Sequence, residues 1–138
     1  ALVAGLHAGL IYNEFPLMGG RFLPEDYWQV NLPLSPVNFL MNASQNPAAA
    51  QFHHRILAES LAVLAVIWAH LLYRQAASPT IKRAALYVMG TVVVQMTLGI
   101  STLLFSVPVL LGVMHQAGAL ALFTAIFYAA TRRRGQFV

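Results

Sequence analysis

Residues 84–105, AALYVMGTVVVQMTLGISTLLF, decide the fold because the run contains no acidic or basic side chain. A helix needs about 20 residues to cross about 30 Å of hydrocarbon. Only helices and closed barrels satisfy their backbone hydrogen bonds in lipid, and an apolar run of this length indicates a helix. We therefore predict a transmembrane helix here.

Three further apolar segments lie on either side of this run. We predict four helices at about 1–12, 48–73, 84–105 and 109–130, with an outer loop at 13–47 that is rich in Pro, Asn and Gly. The fold class is all-α, a membrane-embedded four-helix bundle in one domain, 1–138. The first segment is short for a span and has no charged leader, so we expect the chain to be part of a longer protein.

The composition supports the membrane assignment. Hydrophobic residues make up 59% of the 138 residues and charged residues only 9%, whereas a soluble domain has about 25% charged residues. No basic stripe with interleaved aromatic residues is present, which argues against a nucleic-acid partner. The absence of cysteine excludes disulfides, thiolate metal sites and Cys-ligated iron–sulfur clusters.

The basic residues predict the orientation. They flank the connection between the second and third helices and follow the fourth helix: Arg74, Lys82, Arg83, Arg132, Arg133 and Arg134. The positive-inside rule places these ends in the cytoplasm or the matrix and the loop 13–47 outside.

Two histidines reach the same predicted depth. His54 lies about six residues, or about 9 Å, inside the outer end of the second helix, and His115 lies about 10 Å inside that of the fourth. A planar cofactor between two helices needs such a pair, as in heme sites with two axial imidazoles. The alternative is that each histidine only hydrogen-bonds a neighbouring helix. Spacing does not decide whether His53 or His54 faces the cofactor.

Arg55 lies near the outer interface, where its guanidinium could pair with a heme propionate or extend to lipid headgroups. Glu59 lies one turn further on the same face, so it could pair with Arg55 or, as the sharper alternative, belong to a proton path. His70 is about 24 Å from His54 along the helix, too far to share its site. For His7 we expect a packing contact rather than a third ligand, and Gln95 needs a hydrogen-bond partner that the sequence does not name.

The segments AGLIYNEFPLMGGRF (8–22), QFHHR (51–55) and VPVLLGVMHQAGA (107–119) resemble heme A synthases. The similarity extends over essentially the whole chain and matches the C-terminal half of that family. It implies an eight-helix protein of two pseudo-symmetric four-helix halves, in the bacterial cytoplasmic membrane or the mitochondrial inner membrane. It also implies a membrane oxidoreductase that oxidises a methyl group of heme O to the formyl group of heme A.

The resemblance implies site residues as well. The second half of such an enzyme holds heme b, with His54 and His115 as axial iron ligands, and His54 is favoured over His53 because Asn or Asp usually precedes the ligand. The substrate heme O and the catalytic carboxylate are expected in the other half, so this chain alone should be inactive. The electron donor is unknown. A stand-alone b-type cytochrome is the alternative, and a structural subunit whose histidines only pack is a third reading.

Overall fold

The computed structural model describes residues 2–28 and 33–134, and the regular structure of these residues is helical. The helices are α1 Leu2–Gly5, α2 Pro36–Gln45, α3 Pro47–Gln75, α4 Pro79–Leu104 and α5 Val109–Arg134. The last three are each long and apolar enough to cross a membrane. The all-α prediction is confirmed, and the chain is a membrane protein.

The first apolar segment differs from the continuous helix that the sequence predicts for 1–12, of which Ala1 lies outside the described residues. Helix α1 has only 4 residues, and a 3₁₀ turn follows at Ala8–Leu10. Between them His7 adopts a left-handed backbone with φ 51°. A residue in this conformation cannot continue the α-helical hydrogen-bond ladder, so the helix is interrupted there.

The predicted loop 13–47, of which residues 29–32 lie outside the described part, contains the additional helix α2. The Ser35 hydroxyl caps this helix by accepting a hydrogen bond from the Asn38 amide at 3.1 Å, and Pro36 occupies its first turn. Ser followed by Pro is a typical helix start. The stretch was predicted to be a loop because it is rich in Pro and Asn, but its Ser35–Pro36 pair is a signal for the start of a helix.

The long helices extend beyond the apolar runs from which they were predicted. Helix α4 begins at Pro79 rather than near residue 84, and the Ser78 hydroxyl accepts a hydrogen bond from the Thr80 amide at 3.2 Å. Lys82 and Arg83 therefore lie inside its first two turns. Hydropathy indicates only the part of a helix that lies in the hydrocarbon, whereas capping residues determine where the helix begins and ends.

Helix α4 ends in a Schellman motif that starts the short connection to α5. The Val107 amide donates to the Thr102 carbonyl at 2.8 Å, and the Ser106 amide donates to that of Leu103 at 3.0 Å. Ser106 has φ 57°, the left-handed conformation that this motif requires. Pro108 follows, and it prevents the helix from continuing.

The chain divides into two compact units. The first contains Ala1–Glu59 and Thr102–Pro108, and the second contains Ser60–Ser101 and Val109–Val138. The buried core of the second unit consists mainly of small side chains, namely Ala69, Leu72, Ala76, Ile81, Ala84, Ala85, Val88, Val92 and Ala129. Small residues let helix backbones approach closely, which is how helices associate in lipid.

The large apolar side chains of the second unit lie on its outside. Phe123 is 68% exposed, Leu120 68% and Val93 64%, and none of the most apolar stretch of α5 is buried. A soluble protein would bury such residues. Small residues inside and large apolar residues outside are what a lipid environment favours.

Candidate functional site

His53 is anchored to the loop region of the first unit. Its Nε2 atom lies 2.9 Å from the Tyr27 hydroxyl, with which it shares a hydrogen bond. The Tyr27 ring meets it edge-on at 5.5 Å between centroids. Burial of the phenol raises the pKa of Tyr27 above its ordinary value. One ring nitrogen of His53 is therefore engaged, and the adjacent His54 side chain is exposed.

The Arg55 guanidinium binds backbone carbonyls. Its Nη1 donates to the Leu17 carbonyl at 2.9 Å and its Nη2 to the Tyr12 carbonyl at 2.9 Å. Gln51, one turn earlier on α3, donates to the same Tyr12 carbonyl at 2.9 Å. Arg55 is only 9% exposed. These contacts fasten residues 12–17 to α3.

Arg55 and Gln51 each have one buried polar atom without a hydrogen-bond partner among residues 2–28 and 33–134. These atoms are the Nε of Arg55 and the Oε1 of Gln51. Arg55 and Glu59 both line a small cleft of the first unit. The described residues contain no ion pair between them, so the Arg55–Glu59 pairing that the sequence suggests does not form.

The segment that Arg55 holds is itself cross-linked. The Tyr12 hydroxyl donates to the Asp26 carboxylate. That hydrogen bond, followed by burial and by the charges of Asp26, Glu25 and Glu14, raises the pKa of Tyr12 to about 12. The Glu14 carboxylate accepts a hydrogen bond from the Gly20 amide at 3.0 Å. Gly19 and Gly20 both have positive φ, 65° and 75°, and form a tight two-residue turn.

Asn46 connects the same region to the start of α3, which sequence analysis did not anticipate. Its Oδ1 accepts from the Ala48 amide at 2.9 Å and caps the helix, and its Nδ2 donates to the Asp26 carbonyl at 2.8 Å. Asn42 is buried and donates to the Tyr27 carbonyl at 2.7 Å. The pair Asn46–Pro47 is a typical helix start, so this signal was present in the sequence.

His115 meets Gln95 inside the second unit. The Gln95 Nε2 lies 3.1 Å from the His115 Nδ1 and 3.0 Å from its backbone carbonyl. This contact supplies the partner that the sequence left unnamed for Gln95. The His115 ring is half-buried and packs against Gly99, where an added Cβ would lie 2.8 Å from the ring Cε1 atom.

The other histidines lie elsewhere. His7 is exposed in the first unit and His70 is exposed on the part of α3 that belongs to the second unit. Across the described ranges, no three His, Asp or Glu side chains form a group that could hold a metal ion. A heme with two axial imidazoles does not require such a group. His54 and His115 belong to different units, so their pairing stays a prediction.

A family model described as "Cytochrome oxidase assembly protein" (COX15-CtaA) matches residues 1–127. Among curated proteins, the chain is similar to the "Heme A synthase" of Bartonella quintana, with 42% identity over 134 residues. It is also 43% identical over 136 residues to that of Bartonella bacilliformis and 39% identical over 133 residues to that of Brucella anthropi. These alignments cover 95–96% of the chain but 36% of each relative. No solved structure matches.

Proposed function

Because this chain belongs to the cytochrome oxidase assembly protein family, we propose that it forms the heme b-binding part of a heme A synthase. The reaction of the whole enzyme is the oxidation of a methyl group of heme O to the formyl group of heme A. The chain spans only about a third of the length of its curated relatives (36%). The heme O substrate and the catalytic residues therefore belong to the longer protein in this proposal.

The observation that carries the proposal is the extent of the family match. It covers residues 1–127 and thus includes α3 with His54 and the part of α5 that carries His115. We assign His54 and His115 as the two residues that would hold the heme iron. The resemblance to heme A synthases favours His54 over His53 as the ligand from α3, because His54 directly precedes Arg55 in the matching segment 51–55.

The chemistry of the donor set fits a heme. The Nδ1 of His115 is engaged by Gln95, and within its own unit the Nε2 makes no hydrogen bond to a described residue. Metal-bound histidines commonly coordinate through one nitrogen while the other donates its hydrogen to an oxygen, and the amide group of Gln95 carries a buried oxygen without a partner among the described residues. The Nε of the buried Arg55 guanidinium has no partner among the described residues and is the atom we propose for a propionate contact. A bound heme would supply one-electron transfer between ferric and ferrous iron.

The residues of the chain then hold and shield the cofactor. The imidazoles of His54 and His115 must be neutral to bind iron, and a membrane interior favours the neutral form. Large apolar side chains on the transmembrane helices keep bulk water away. The proposed location is the bacterial cytoplasmic membrane or the mitochondrial inner membrane, with lipid as neighbour and with the electron donor unknown.

The test is an absorption spectrum of purified His54→Leu and His115→Leu variants. Leucine cannot coordinate iron, so each change should abolish the low-spin signature of two axial imidazoles. His53→Leu and His70→Leu are matched controls and should preserve that signature. An unaltered reduced spectrum in both ligand variants would disprove the assignment, and loss of the heme in His53→Leu alone would move the ligand to His53.

A stand-alone b-type cytochrome would pass this spectral test. Measuring the conversion of heme O to heme A by the full-length protein separates the two functions. Intact heme binding without conversion would favour the cytochrome.

A further inference from the structure

Gln95 gives both hydrogens of its amide group to one residue of the facing helix. Its Nε2 lies 3.1 Å from the Nδ1 of His115 and 3.0 Å from the His115 carbonyl oxygen. The amide oxygen Oε1 of Gln95 is buried and has no partner among the described residues. A buried polar atom without a partner costs about 1–3 kcal/mol, so its presence calls for a reason.

Two glycines make room for this pair. An added Cβ at Gly118 would collide with the Oε1 of Gln95, and one at Gly99 would lie 2.8 Å from the Cε1 of His115. The other glycines of these helices differ, since an added Cβ at Gly90 or Gly112 meets nothing within 4 Å. The shortest contacts at these two glycines are therefore with the amide and the imidazole, and at Gly118 the Leu98 Cδ1 follows at 3.3 Å.

The contact fixes the tautomer of His115. A nitrogen that accepts a hydrogen bond carries no proton, so the neutral ring has its proton on Nε2 when Gln95 donates to Nδ1. Binding of iron through Nε2 requires the opposite tautomer, with the proton on Nδ1. The Nδ1–H group then needs an acceptor, and Gln95 carries an oxygen without a partner in the same amide group.

We propose that Gln95 is the positioning residue of His115 and that its amide group reverses when the heme binds. Without heme, the Nε2 of Gln95 donates to the Nδ1 of His115. With heme, the ring releases the proton from its Nε2 and takes one up at Nδ1, so its charge does not change. The Oε1 of Gln95 would then accept a hydrogen bond from the Nδ1–H group, and the reversed amide would give up its 3.0 Å hydrogen bond to the His115 carbonyl. This inference rests on the proposed function, because it requires His115 to be an iron ligand.

The heme-free state has its own test. Nitrogen NMR of the His115 ring in protein purified before heme is added should show the proton on Nε2. In Gln95→Met, which keeps the length of the side chain but removes the donor, the ring should become a mixture of both tautomers. A proton on Nδ1 in the unmodified heme-free protein would overturn the first half of the proposal.

The heme-bound state is tested by redox titration and heme affinity. Gln95→Glu places a carboxylate beside the Nδ1 proton, which makes the ligand more basic and should shift the midpoint potential downward. Gln95→Met removes the acceptor and should shift the potential upward and weaken heme binding by about 10–100-fold. Thr97→Val is the control on the same helix, because among the described residues the Thr97 hydroxyl hydrogen-bonds only the Val93 carbonyl of its own helix.

Substitution of a glycine tests the contact between Gln95 and His115 without changing either residue. Gly118→Ala pushes the added Cβ into the Gln95 amide and should shift the potential, whereas Gly112→Ala on the same helix should not. Unchanged potentials in Gln95→Glu, Gln95→Met and Gly118→Ala would overturn the positioning role and leave His115 as a ligand. An unchanged spectrum in His115→Leu would instead overturn the proposed ligand and this inference together.

Discussion

At the residue scale, Arg55 shows how one side chain can hold a loop on a transmembrane helix. A buried cation is costly unless its donors are satisfied. Here the two terminal nitrogens of Arg55 reach the carbonyls of Tyr12 and Leu17. The planar guanidinium can bind two carbonyls at fixed separation, which an ammonium on a flexible stem cannot do as well.

Arg55→Leu should therefore lower both the stability and the midpoint potential of the protein. Each hydrogen bond from a charged donor contributes about 1.5–3 kcal/mol, and both would be lost. In the proposed heme site, loss of the Arg55 cation would stabilise ferric iron, which lowers the potential. Arg55→Lys should be intermediate in both measurements, a thermal unfolding curve and a redox titration.

Arg21→Leu is the matched control for this prediction. Arg21 forms an exposed ion pair with Glu25 at 2.7 Å, and exposed pairs contribute at most about 1 kcal/mol. The control should change neither measurement appreciably. Lower stability with an unchanged potential in Arg55→Leu would contradict the propionate contact. Arg55 would then act only through its hydrogen bonds to the carbonyls of Tyr12 and Leu17.

At the element scale, Asn46 has two roles at the start of helix α3. Its Oδ1 caps the helix, while its Nδ2 donates to the carbonyls of Asp26 and Tyr27. Pro47 follows as the first helical residue. The position of α3 along the chain and the attachment of the preceding loop therefore depend on the same side chain.

Replacing Asn46 should separate these two roles. Asn46→Asp keeps an oxygen that can cap the helix but loses both donors, whereas Asn46→Ala loses everything. A lost cap alone costs about 0.5–2 kcal/mol, and we expect Asn46→Ala to exceed the cost of Asn46→Asp in thermal unfolding. Ser44→Ala is the control, because the Ser44 hydroxyl is exposed and, within the described part of the chain, hydrogen-bonds only carbonyls of its own helix. Equal stability of Asn46→Ala and the parent protein would refute the anchoring role.

At the scale of the whole molecule, the membrane explains the distribution of side chains and basic charges. Helices α3, α4 and α5 are each apolar enough to cross a bilayer. The basic residues at the connection between α3 and α4 and at the end of α5 predict an inner location for both. The loop that precedes α3 is then outside.

Single cysteines test this topology, since the natural chain contains none. Leu34 is 87% exposed in the predicted outer loop, and Ala77 is exposed in the connection between α3 and α4. A membrane-impermeant thiol reagent applied from outside should label Leu34→Cys in intact cells, and it should label Ala77→Cys only after the membrane is opened. The reverse pattern would contradict the orientation and move the proposed heme to the inner half of the bilayer.

The sequence by itself determined the membrane class, the three long helices and the residue types of the candidate site. It could do so because hydropathy over about 20 residues depends on composition rather than on contacts. The Ser35–Pro36 and Asn46–Pro47 pairs are also signals for the start of a helix, but the prediction of a loop at 13–47 did not use either of them. Hydropathy could not give the interruption at His7, because a left-handed backbone at one histidine leaves the local composition unchanged.

Only the tertiary structure decided the partners of the polar side chains. The sequence left Gln95 without a partner and suggested Glu59 for Arg55. In the folded chain, Gln95 contacts His115, which lies 20 residues later in the sequence. Arg55 binds the carbonyl of Tyr12, which lies 43 residues earlier. A backbone carbonyl is present at every residue, so no sequence pattern identifies the one that a guanidinium will bind. Packing of the helices and the course of the loop select it.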